Sequence, residues 1–159
     1  MSSINARAQS DIFNFLTKAK ADRQKITGLV ITAIGERLVN LSPVGDPSNW
    51  VEKDYHKHYR PGLFKNNWQL GIDQIPENGA TKGEAIDLPN PSGSGSLARL
   101  KKIGRWPVGH QYFFVNNLPY SRALEEGWSG QAPNGMVGIT ELEFPQMVRD
   151  AAAIVKGGL

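Results

Sequence analysis

Three groups of side chains in this sequence have the types and spacing that chemistry uses. Asp54, His56 and His58 form the first. Two imidazoles two positions apart on an extended segment can share a cation, but a zinc site needs three or four protein ligands. His110 is the only other histidine, and nothing in the sequence brings it near. Lys53, Lys57 and Arg60 stand among these residues and would oppose a cation. A solvated loop accounts for the run better than a metal-dependent hydrolase centre on His56 and His58 would.

Glu125 and Glu126 form the second group. Adjacent residues of a helix point about 100° apart, and paired carboxylates that flank one glycosidic bond need a separation of about 5–10 Å across a cleft. The third group is basic: Arg99, Lys101, Lys102 and Arg105, with Trp106 beside them. Cations next to an aromatic ring can bind phosphates and stack a base, which makes these residues candidates to face DNA. They also suit the solvated face of a short helix. A phosphate-binding loop is absent, because the glycines at 79 and 83 have the wrong spacing and no Gly-Lys-Ser/Thr ending follows. There is no Gly-x-Ser-x-Gly elbow either. The inventory leads to no catalytic residue, no resident metal and no cofactor.

The elements that would position these groups read as α+β. Residues 10–42 carry Ile12, Leu16, Ala19, Ile26, Val30, Ile34, Leu38 and Leu41 at spacings of three, four or seven, the pattern of one helical face. Ser10 suits the N-cap, Gly28 could permit a bend, and Pro43 stops the helix. Such a helix would be about 45 Å long, more than a domain of this size spans, so one end is expected to protrude. A loop over 43–67 follows. Trp68, Leu70 and Ile72 then alternate as in a half-buried strand, and the branched and aromatic run at 111–117 reads as a strand buried on both sides. Ser96 is placed as N-cap of a helix over 97–103, and Pro119 and Gly127 bracket a short helix over 120–126. Thr140-x-x-Glu143 has the form of a capping box opening a last helix, with Phe144, Met147, Val148, Ala151 and Ile154 facing inward. The expected architecture is a single domain over 1–159. A long N-terminal helix and a C-terminal helix pack on a small, mainly antiparallel sheet, with long loops and a sheet-and-helix part over 68–155.

Bulk properties agree with an ordinary globular chain. With 159 residues, 17 glycines, 10 prolines and no cysteine, a loop-rich fold without disulfides is expected, suited to a reducing cytosol. A net charge of +3 is too small to imply nucleic-acid binding by itself. No apolar run reaches the roughly 18 residues of a membrane helix, and the first ten residues lack the apolar core of a signal peptide.

One stretch is more specific. Asn116-Asn117-Leu118-Pro119-Tyr120, Leu124-Glu125-Glu126-Gly127, Trp128-Ser129, Gln131-Ala132-Pro133 and Gly135-Met136-Val137 follow one another with short gaps. This order resembles the tail-completion (minor tail, Z-like) proteins of long-tailed bacteriophages. Their pattern is a strand ending Asn-x-x-Pro-Tyr, a helix ending Leu-Glu-x-Gly, then Ser-x-Gln-Ala-Pro-x-Gly-Met. Upstream, Leu41-Ser42-Pro43-Val44 is similar to the family's Thr-Pro-Val. Leu63-Phe64-Lys65-Asn66-Asn67-Trp68 is similar to its Leu-Arg-x-x-Trp. The blocks span Leu41 to Val148 in order. The departure is the run after Val44, where the family has Asp-Thr-Gly and this chain has an insertion holding both His56 and His58.

The resemblance implies a non-catalytic virion protein at the head-proximal end of a tail, made in the host cytoplasm. It implies a homohexameric ring between tail terminator and head connector or stopper, with genome DNA passing through without sequence-specific binding. Asn117, Pro119, Tyr120, Leu124, Glu125, Gly127, Trp128, Ser129, Gln131, Ala132, Pro133, Gly135 and Met136 carry it, and the first helix and the 128–136 loop are the expected contact patches. Trp128 and Met136 are large apolar side chains in a loop, so both are expected to dock on this subunit or on a neighbour. The alternatives from other classes are a phage-encoded metal-dependent hydrolase and a basic nucleic-acid module.

Overall fold

The computed structural model describes residues 2–45, 61–77, 92–101 and 106–157. Its elements run α1 (Ser2–Leu41), β1 (Gln69–Ile72), α2 (Ser94–Lys101), β2 (Tyr112–Val115), α3 (Ser121–Glu125) and α4 (Val137–Gly157). The chain is α+β: a long N-terminal helix, a C-terminal helix and a small antiparallel sheet.

α1 has 40 residues and is about 60 Å long at 1.5 Å per residue. It begins at Ser2, eight residues before the expected cap at Ser10, because nothing between them breaks a helix. Its end is tied down by Ser42, whose Oγ donates to the Leu38 carbonyl at 2.6 Å. The stripe divides into two parts. Val30 and Leu38 are buried, whereas Ile12 and Leu16 are about 60% exposed, as are their neighbours Phe13 and Phe15 at nearly 70%. The expected protrusion is therefore the amino-terminal half. Gly28 is there for close approach, not for a bend: a Cβ at this position would lie 2.5 Å from Cδ1 of Trp106.

Among the described residues the sheet is one antiparallel pair, with Gln69 opposite Val115 and Ile72 opposite Tyr112. Leu70 and Phe114 face each other and pack on the core. β2 is half-buried along its length, where burial on both faces was expected. In a two-stranded ribbon each strand is an edge, so neither can be enclosed like the middle of a larger sheet.

The core gathers Leu38, Val39, Phe64, Trp68, Leu100, Leu118, Ala132 and Met136. Phe64 and Trp68 meet edge to face at 5.9 Å. Phe64, Asn66 and Asn67, in the stretch read as loop, are all nearly inaccessible. Two polar pairs tie the interior together. Trp68 Nε1 donates to Ser42 Oγ at 2.8 Å, and Asn67 Nδ2 donates to Asn116 Oδ1 at 2.8 Å.

Two helix starts differ from expectation for identifiable reasons. Ser96 is not an N-cap. It lies inside α2, fully buried, where its Oγ accepts from Trp68 N at 3.0 Å and locks α2 to the start of β1. α4 starts at Val137, not at the Thr140 capping box. Thr140 Oγ1 turns back to the Met136 carbonyl at 2.7 Å, and Glu143 forms a two-pronged pair with Arg37 of α1, both contacts 2.6 Å. α4 also presents its apolar residues differently. Ala151 is buried, but Phe144 and Ile154 are each 44% exposed. α4 covers only one side of α1, so residues at the margins of its stripe stay in solvent. No helix among the described residues is long and apolar enough to cross a membrane.

Candidate functional site

The segment from Asn116 to Met136 forms a continuous series of turns locked by its own side chains. At the end of β2, Asn116 Nδ2 donates to the Phe64 carbonyl at 2.9 Å. Asn117 Nδ2 donates across to the Pro76 carbonyl at 3.0 Å, and Ser121 Oγ meets the turn carbonyls of Asn116 and Leu118 at 2.8 and 2.6 Å. Pro119 is exposed ahead of α3, and the Tyr120 ring packs against Phe64 at 6.1 Å. Leu124 joins the edge of the core.

Glu125 supplies the cap that α4 lacks from its own first residues. Its carboxylate accepts from the backbone N–H groups of Met136 (2.8 Å), Val137 (2.9 Å) and Gly138 (2.9 Å). Those are orphan donors of a helix start, and a negative charge is favoured there by the helix dipole. The close approach needs a backbone without a side chain in the way. Gly135 sits at φ +71, where a Cβ would be 2.5 Å from the Glu125 carbonyl oxygen; Gly127 at φ +85 would meet the Pro133 carbonyl at 2.4 Å. Gln131 reaches back to the start of the first connection, its Oε1 accepting from Val44 N at 2.9 Å and Gly45 N at 3.2 Å. Ser129 Oγ accepts from Gln131 N at 3.2 Å, and Ala132 is buried behind this turn.

The two large loop residues separate. Met136 is 1% exposed and belongs to the core, whereas Trp128 is 79% exposed. Pro133 is also on the outside. Most of the residues that carry the family resemblance thus hold the fold together within one chain, and Trp128 is the large apolar member that faces solvent. Glu125 as a remote cap was not legible beforehand, since eleven residues separate it from the helix it closes.

The two described members of the basic group have different surroundings. Arg99 lies half-buried, with a guanidinium nitrogen on the Asn66 carbonyl and 3.1 Å from Ser96 Oγ. Lys101 reaches Glu36 at 3.6 Å, and Lys102 and Arg105 lie outside the described residues. Asp54, His56 and His58 lie outside them too. Among the described residues no cluster of His, Cys, Asp and Glu could hold a metal ion. His110 pairs with Asp73, at 2.5 Å through Nδ1. Asp73 Oδ1 also accepts from Gln111 N at 2.9 Å, and the His110 hydrogen bond, followed by that of Gln111, holds the Asp73 carboxyl below its ordinary range. This arrangement ties the residue after β1 to the residues just before β2. Glu125 and Glu126 also have separate roles, since Glu126 pairs with Arg122 at 2.8 Å on the surface.

Comparison with protein-family models, with curated proteins and with solved structures gave no match.

Proposed function

We propose that this chain is a structural subunit of a bacteriophage tail, placed at the end that meets the head, where it completes the tail and joins it to the capsid. The observation that carries the reading is the ordered series of sequence blocks from Leu41-Ser42-Pro43-Val44 through Leu63–Trp68 and Asn116–Tyr120 to Gly135-Met136-Val137. Two features support a role in assembly. Trp128 stands almost entirely in solvent, and the amino-terminal half of α1 carries exposed Ile12, Phe13, Phe15 and Leu16. Apolar side chains of this size are costly to leave in water and suit a surface that a neighbour covers. In this reading the chain forms a sixfold ring with heterologous contacts, between tail terminator and head connector, around the passing DNA.

Electron microscopy of particles produced with and without the chain tests the proposal. Free heads beside unjoined tails in its absence, restored by supplying the protein, are expected. Complete particles assembled without it would remove the chain from the tail.

A further inference from the structure

We propose that Asn134 is a site of spontaneous deamidation, held in check by the Glu125 cap, and that its isoaspartyl product releases the start of α4. The chemistry is that of the chain alone and stands whatever the chain assembles with.

An asparagine side-chain amide can be attacked by the backbone nitrogen of the next residue, and a glycine there leaves the approach unhindered. The sequence holds two such pairs, Asn134-Gly135 and Asn78-Gly79, the latter outside the described residues. Asn134-Gly135 ends a β-turn that begins at Ala132 and is closed by the Gly135 N–H on the Ala132 carbonyl at 3.2 Å. Pro133 at the second position and Gly135 at the fourth are residues that such turns favour. Asn134 is exposed, so water reaches its amide, whereas Gly135 is buried.

The reaction balances with water alone. The Gly135 nitrogen forms a bond to Cγ of Asn134, the Cγ–Nδ2 bond breaks, and ammonia leaves with the proton that Gly135 gives up. Water then opens either carbonyl of the resulting cyclic imide. Opening at Cγ leaves an aspartyl residue. Opening at the main-chain carbon leaves an isoaspartyl residue, whose backbone runs through Cγ and is one methylene longer.

The fold controls the first step. Attack requires the Gly135 nitrogen to leave its bond to Ala132 as the turn opens. The next three residues, Met136, Val137 and Gly138, are pinned through their N–H groups to the Glu125 carboxylate at 2.8–2.9 Å. Met136 is also buried in the core. Opening the turn is a local unfolding event, and the cap opposes it.

The same packing gives the product its effect. Gly135 has φ +71 and passes so near Glu125 that a Cβ would lie 2.5 Å from its carbonyl oxygen and 2.6 Å from Oε1. A longer backbone cannot be taken up there without moving the N–H groups that the carboxylate holds. The aspartyl product adds the same charge with no added length, so Asn134→Asp separates the two effects.

Peptide mapping of the full chain tests the proposal, in a background with Asn78→Gln to remove the other pair. Trypsin releases Ala123–Arg149, in which Asn134 is the sole asparagine, so the mass of one fragment reads its conversion. Methyl transfer from S-adenosylmethionine by an isoaspartyl methyltransferase reads the isoaspartyl share. In mildly alkaline buffer the folded chain should convert several times more slowly than the same chain in guanidinium chloride. Glu125→Ala should convert about five-fold faster than the parent or more, and Glu126→Ala at the parental rate. Aged, isoaspartyl-rich protein should melt several degrees below the parent, while Asn134→Asp melts with it. Equal conversion of folded and unfolded chain, or a parental rate in folded Glu125→Ala, would overturn the proposal. So would aged protein that melts with the parent, since the longer backbone would then leave the cap intact. The comparison of folded with unfolded parent and the melting of aged protein need no change at Glu125, so they decide the matter even where Glu125→Ala fails to fold.

Discussion

Glu125 and Met136 are joined by a hydrogen bond from the Met136 N–H to the Glu125 carboxylate at 2.8 Å, and through it the end of α3 fixes the start of α4. The same carboxylate takes the next two N–H groups, so one side chain serves three donors that the helix cannot pair internally. Met136 itself is buried in the core, which makes this cap the junction between the helix start and the hydrophobic interior.

Glu125→Ala should therefore lower stability by about 1–3 kcal/mol, combining a lost cap with a lost charge at the positive end of the helix. For a chain of this length that corresponds to a melting temperature lower by roughly 2–10 °C. Glu126→Ala is the control, since its carboxylate pairs only with exposed Arg122 and should change stability by less than about 0.5 kcal/mol. Equal effects from the two substitutions would show that the cap contributes nothing.

Ser42 Oγ accepts the indole N–H of Trp68 at 2.8 Å, and both residues are buried. Removing its hydroxyl in Ser42→Ala leaves that donor unsatisfied in the core, at a cost of about 1–3 kcal/mol. Urea denaturation should show an earlier midpoint at unchanged slope. A midpoint within error of the parent would mean that the indole finds water or another acceptor.

Acid should loosen the β1–β2 connection. The folded carboxyl of Asp73 is held below its unfolded value by His110 first and by the Gln111 N–H second. Its contribution is complete above the ordinary aspartate range and is lost as pH falls through the lowered folded value. Asp73→Asn removes the titration while keeping a residue that accepts the left-handed φ of +57 found there. The Gln111 amide resonance, followed between about pH 7 and pH 2, should shift with the acid limb in the parent and not in the variant. Identical titration in both proteins would assign the limb to another carboxylate.

Trp128→Ala should leave the isolated subunit nearly unchanged, within about 0.5 kcal/mol, because the side chain is 79% exposed. If the tail reading holds, the same variant should weaken joining of heads and tails, since a buried aromatic at an interface contributes about 2 kcal/mol or more. Thermal unfolding of dilute monomer and electron microscopy of particles separate the two effects. A large drop in melting temperature would show that the tryptophan serves its own subunit.

Periodicity alone determined much of this protein. The long helix, its stop near Ser42-Pro43, the strands around Leu70 and Phe114, the short helix between Pro119 and Gly127 and the last helix all follow from local patterns. Local patterns are legible because they express a backbone period and the conformational limits of proline and glycine. The expectation that α1 outruns its domain likewise came from length, and the overhang carries it. Tertiary structure decided which of two equivalent local options each residue takes. Thr140 and Ser96 have the right types for caps, yet each is inside a helix, because Glu125 and the Trp68 backbone compete for the same roles from elsewhere in the chain. Trp128 and Met136 look alike in the sequence as large apolar residues of one loop. Only the packing of α3 against the start of α4 sends Met136 into the core and leaves Trp128 in water. Ile12 and Val30 share one helical face in the same way, and what separates them is that α4 ends before it can reach Ile12. Burial depends on which distant segment arrives to cover a face, and no local pattern encodes that arrival.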